Sequence, residues 1–192
     1  MIPVWLKIAY TVLTIVVVTV YSRKYGPKNF LWFSDIALIL TVPALWLENR
    51  LLASMMVVGV LLPEIFWNVS YFLRLLTGIR LTGLTDYMFD RKRPRFLRGL
   101  SLFHIVLPAV IVYLVLHLGY DPRAFVLQTL LAWLVLPATY LLTGPDDNIN
   151  WVYGVGGDPQ QRIPELAYLA IVMMAFPVFV FLPTHLLLLW VR

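Results

Sequence analysis

The chain has no cysteine, which excludes disulfides, thiolate metal sites and cysteine nucleophiles, and leaves no trace of a redox compartment. Charge is scarce too. Only 13% of the residues are Asp, Glu, Lys or Arg, against about 25% in soluble domains. No internal repeat, low-complexity tract or soluble domain stands out along the sequence. What is present in excess is apolar: 61% of residues are hydrophobic and the mean hydropathy is +0.83, the balance of an integral membrane protein. The net charge of +5 would suit a nucleic-acid partner. The basic residues, however, sit in loops between apolar runs, where membrane topology accounts for them. No nucleic-acid partner is expected; membrane lipids are.

A bilayer core of about 30 Å needs roughly 20 helical residues, and six stretches approach that length with few charges: 3–21, 30–47, 51–76, 99–118, 124–142 and 165–191. The opening run lacks a small-x-small cleavage pattern before Ser22 and reads as an uncleaved helix. If the chain alternates sides, eleven of its 15 lysines and arginines fall on one side, leaving Lys7, Arg50, Arg123 and Arg192 on the other. Such a bias marks the cytosolic face. The expectation is a single domain over 1–192: an all-α, six-helix membrane bundle with both termini non-cytosolic. The compact loops and strong charge asymmetry suggest a bacterial inner membrane. The second to sixth runs each hold an internal proline, Pro43, Pro63, Pro108, Pro137 and Pro177. Each frees the carbonyl four residues earlier, which for Pro108 belongs to His104. Kinks at similar depth would open a central cavity.

Ionisable side chains inside such helices are costly and are functional candidates by default. Asp35 lies five residues into the second run and His104 five into the fourth, with Ser101 one turn before His104. Both would sit roughly 7 to 8 Å below the boundary. An Asp35 carboxylate orienting His104 would leave the second ring nitrogen free as a base, and Ser101 is the nearby hydroxyl. In the third run Glu64, Asn68 and Tyr71 follow at i, i+4 and i+7 and share a face, suited to binding a ligand. The loop around residues 144–154 combines turn formers with Trp151 and Tyr153. It could fold back as a lid, with Asn148, Asn150 and Tyr153 at a cavity mouth, or lie at the interface as an aromatic belt. The basic run at 90–95 reads as a topology determinant that meets anionic lipid headgroups. His117 and His185 lie near the outer ends of their helices, too far from His104 to share an ion. No metal or cofactor is expected.

The order of certain features resembles a known family. Phe30, Leu31, Phe33 and Asp35 open the second helix, His104 is followed by Val106, Leu107 and Pro108, and Trp151, Val152 and Tyr153 come later. Together they look like the androgen-induced protein family, and more loosely YwaF-type bacterial six-helix membrane proteins. The androgen-induced proteins are multi-pass hydrolases of fatty acid esters of hydroxy fatty acids, using a membrane-embedded Thr and His. The resemblance implies that His104 is catalytic. The position matching the Thr is Trp32, which cannot be a nucleophile, so the family mechanism does not carry over intact. Two readings follow. One is a lipid ester hydrolase or acyltransferase with His104 as general base, Asp35 orienting it, Ser101 or water attacking, and Asn68 or Asn148 donating to the oxyanion. The other is a non-enzymatic carrier, a lipid- or small-ligand-binding protein or a structural subunit; as a carrier, it would draw its second half from a homo-oligomer.

Overall fold

The computed structural model describes residues 1–156 and 158–191, so Arg192 lies outside the described residues. It is all-helical, with no strand among those residues. Five segments are long and apolar enough to cross a membrane, with mean hydropathies from 1.7 to 2.3. These are α1 (Val4–Lys24), α3 (Arg50–Thr77), the pair α5 (Arg95–Leu100) and α6 (Phe103–Leu118), α7 (Ala124–Leu142), and the final pair α8 (Glu165–Ala175) and α9 (Leu182–Trp190). Between α3 and α5 lies the four-residue α4 (Asp86–Phe89).

The second run differs from its expected form. A 3₁₀ turn at Pro27–Leu31 gives way at Trp32, whose ψ of 133° is extended, to a 14-residue helix α2 (Phe33–Trp46). At 1.5 Å per residue α2 spans about 21 Å, less than a bilayer core. The break is held from outside the segment. Phe33 N–H donates to Asn150 Oδ1 at 3.1 Å, and Asn150 Nδ2 donates to Leu31 O at 2.7 Å.

Local chemistry sets the other boundaries. Asn49 caps α3 by accepting from Leu52 N–H at 2.8 Å, and Gly78, at φ 75°, closes it in the left-handed conformation that costs a glycine least. In the last run Pro177 lacks the N–H an α-helix needs, and the ladder widens into a π turn over Phe176–Phe181 before α9 resumes. Pro43, Pro63, Pro108 and Pro137 stand inside helices that continue past them.

Helix α3 is the hub, packing against α2, α6 and α7. Gly59 lets α7 come close: a Cβ there would lie 2.4 Å from Gln128 Nε2. Small residues admit such close approach between apolar helices. Side-chain bonds sort the connections into two ends. At one, Glu48 Oε1 takes Lys7 Nζ at 2.8 Å and Ile2 N–H at 3.0 Å, Arg50 donates to Tyr120 O, Ser54 Oγ accepts from Asp121 N–H at 2.9 Å, and Tyr120 meets His185 at 2.5 Å. The other end is fastened by Tyr21 to Ser101 at 2.8 Å, Tyr140 to Glu165 at 2.6 Å and Tyr168 to Trp151 O at 3.1 Å.

Candidate functional site

The polar residues of the bundle interior converge on α3 and α6. Glu64 is 2% exposed, and His104 Nδ1 lies 2.8 Å from its Oε2 and 3.1 Å from its Oε1. The imidazole is held between aromatic faces, with Phe103 stacked at 4.1 Å and Trp67 at 4.7 Å between centroids. No group among the described residues hydrogen bonds to Nε2, and 15% of the side chain stays exposed. A carboxylate on one nitrogen and an open second nitrogen is the arrangement of an oriented base.

Asn68 fixes the backbone beneath this pair. Its Nδ2 donates to His104 O at 2.7 Å and to Glu64 O at 2.8 Å. The first of these is the carbonyl that Pro108 frees, so the amide fills the vacancy in the α6 ladder. Pro177 frees Met173 O in the same way, and Trp133 Nε1 fills it from α7 at 2.9 Å. At these two prolines the freed carbonyls join helices together instead of opening a hollow. Two open apolar grooves, one formed by Ala170, Met174 and Phe179 among others and one by Thr14, Val18 and Pro43 among others, mark the outer surface. Neither includes Asp35, Glu64 or His104.

The expected Asp35–His104 bond is not formed; Glu64 takes that place. Asp35 lies in the first turn of α2, 3% exposed, and its Oδ2 accepts from Asn29 Nδ2 at 2.9 Å. Its Oδ1 is buried without a partner. Packing of α6 on α3 sets His104 against Glu64 instead. Ser101 is occupied elsewhere. Its Oγ bonds Tyr21 at 2.8 Å and Leu97 O at 3.4 Å, tying α1 to the α5–α6 junction with no bond to His104.

Tyr71 does not reach the imidazole; it stacks on Trp67 at 5.2 Å and leans on Phe89 at 5.7 Å. The other three expected binding residues hold the loop together. Asn148 Oδ1 accepts from Tyr153 N–H at 3.0 Å while its Nδ2 donates to Gly154 O at 2.8 Å and Gly156 O at 3.1 Å. Tyr153 donates to Tyr140 O at 2.7 Å and Thr143 O at 2.8 Å, filling carbonyls left open at the end of α7. Asn150 clamps the start of α2, as described above.

The cover over the site comes instead from the third loop. Trp67 Nε1 donates to Tyr87 Oη at 3.1 Å, which ties α4 to the edge of the indole that stacks on His104. Asp86 receives both Arg74 and Arg80, and Arg98 Nη1 donates to Met88 O at 3.0 Å. Burial raises the Tyr87 phenol above its ordinary range, so it remains a neutral O–H group at physiological pH. The Tyr87-Met88-Phe89 run between Gly83 and Asp90 is an apolar island in a charged loop, the signal that could have revealed this cover. Among the described residues no three His, Asp or Glu side chains are grouped to hold a metal ion.

Comparisons with models of known families, with curated proteins and with solved structures find no match to this chain, so the resemblance to the androgen-induced proteins rests on the residues that suggested it.

Proposed function

We propose that this chain is a membrane-embedded hydrolase or acyltransferase of lipid esters with His104 as general base. The observation that carries the reading is the buried Glu64–His104 bond with Nε2 unengaged. Glu64 takes the orienting role expected of Asp35: it holds Nδ1–H and stabilises the imidazolium that forms when Nε2 accepts a proton. An acyl ester enters sideways from the bilayer. Because Trp32 stands at the family's Thr position and the Ser101 hydroxyl is bound to Tyr21, the attacking oxygen comes from water or an acceptor alcohol. Tyr87 supplies a neutral O–H to the developing oxyanion, since Asn68 and Asn148 have their amide protons engaged. Turnover of a fluorogenic long-chain ester by purified protein tests the reading. His104→Ala is expected to lose at least about 100-fold in rate while staying folded; turnover equal to the parent protein rejects it.

A second reading draws on Asp35, whose buried Oδ1 has no partner: a proton-linked carrier in which Asp35 and Glu64 bind and release the proton. It predicts proton-coupled uptake by proteoliposomes that Asp35→Asn and Glu64→Gln abolish, with no ester turnover.

Either activity is placed in six crossings with both termini away from the cytosol, in a bacterial inner membrane. The sorting of side-chain bonds into two ends and the Lys/Arg asymmetry support the six-crossing topology, with the 3₁₀ turn lengthening the short α2 segment. Because the chain has no cysteine, a single Cys at Ser22 or at Pro122 reports its side by labelling with a membrane-impermeant maleimide. Labelling of both from one side overturns the topology.

A further inference from the structure

The basic residues at the loop end fall into two groups that the fold treats differently. Arg74 and Arg80 are consumed by Asp86. Arg91, Lys92, Arg93 and Arg95 are all exposed, and the carboxylate among them, Asp90, accepts from its own loop at Lys92 N–H and stands 4.0 Å from Arg93. A second basic segment joins them from about seventy residues away in sequence. The Tyr21–Ser101 bond fastens the last turn of α1 to the α5–α6 junction, which brings the exposed Arg23 and Lys24 to the same corner. Arg93 lies over the Tyr87 ring at 5.5 Å.

Beside these cations the corner is apolar. Phe96 is 61% exposed on α5, and Tyr25 is 41% exposed, standing edge-on to Tyr21 at 5.2 Å. Cations flanked by outward aromatic side chains at the end of membrane helices match a molecule with an anionic head and an acyl body. Guanidinium groups bind phosphate oxygens in pairs, which gives geometry as well as attraction.

We propose that the corner formed by Arg23 and Lys24 of α1 with Arg91, Lys92, Arg93 and Arg95 binds the headgroup of one anionic phospholipid, with Tyr25 and Phe96 against its acyl chains. The two arms grip the same headgroup. This sets the proposal apart from the diffuse attraction that any basic loop exerts on an anionic surface, and it is independent of the chemistry at His104.

The probe is phosphatidylglycerol mixed with phosphatidylcholine in nanodiscs, with lipid retained on the released protein counted by native mass spectrometry. One phosphatidylglycerol per chain is expected to be retained. Neutralising either arm alone, R23Q with K24Q or R91Q with K92Q and R95Q, is expected to reduce retention more than tenfold, and combining the two is expected to add little. Equal retention of phosphatidylcholine overturns the proposal, as do graded losses that simply add with each charge removed. The unsubstituted protein supplies a test that needs no variant: raising salt from 0.05 to 0.5 M should release the lipid, and retention indifferent to salt rejects the site.

Discussion

One end of the bundle and its interior both hold carboxylates joined to basic side chains, and the pairings do different things. At the end near the termini, Glu48 is bound by Lys7 and by Ile2 N–H, and Arg123 grips Asp121 through two nitrogens. The hydrogen bond from Lys7 holds Glu48 below its usual carboxylate range, and Arg123 holds Asp121 down at about 2. Both pairs lie at helix ends and act as fastenings for the ends of α1 and α7. Deeper in the bundle, Glu64 faces an imidazole whose other nitrogen is unengaged. The carboxylate is the same group in both places; the partner and the depth decide whether it fastens or reacts.

The largest effect that would sharpen this comparison comes from Glu64→Ala. It strands His104 without its buried partner, which should cost about 3 kcal/mol, seen as a lowered Tm in detergent, together with loss of ester turnover. Glu64→Gln should recover most of the Tm and little of the rate. A glutamine variant with full activity would make the pair a fastening like the others. Next in size is Gly59→Ala, which places a methyl against Gln128 and should cost about 1 to 3 kcal/mol. Its rate per folded molecule should be unchanged, separating loss of fold from loss of chemistry. Asn150→Ala removes both bonds that define the start of α2, an expected loss of about 1 to 2 kcal/mol. A hundredfold drop in turnover there would restore the loop to the substrate site.

The smallest effect is a pH dependence. Because the folded-state pKa of Asp121 is depressed to about 2, below an unfolded value near 3.9, its contribution is complete above about pH 4 and is lost as pH falls through the folded value. Thermal melts should show Tm declining over that window. Asp121→Asn should lie lower at pH 6 and flatten that part of the decline; an unchanged profile would mean that the Asp121–Arg123 contact contributes no stability.

Much of the candidate site was legible before folding. Glu64, Asn68 and His104 stand out because polar groups in apolar helices are rare, and the carbonyl released by Pro108 is a backbone consequence of proline at that position. The pairing was not legible. Asp35 and His104 look matched when depth is counted from each helix end, yet α3 packs Glu64 against the imidazole. The part played by the loop residues was not legible for a related reason. Asn148, Asn150 and Tyr153 look free in a loop of turn formers, but each meets backbone groups left open by an irregular chain or a helix end, whereas Tyr87 lies in a stretch dominated by charge.

The order of apolar runs, the helix boundaries marked by Asn49 and Gly78, the two unequal faces of charge and the few polar residues within helices were determined by the sequence alone. Hydropathy, capping and proline chemistry act over a few neighbouring residues and read along one dimension. Tertiary structure alone decided that Glu64 holds His104, that Asn68 closes the gap left by Pro108, that Tyr87 of α4 accepts from Trp67 beside the imidazole, and that Tyr21 fastens the end of α1 to the α5–α6 junction. Those contacts depend on helix rotation and close approach, as at Gly59 and Gln128, and packing among several helices sets both together.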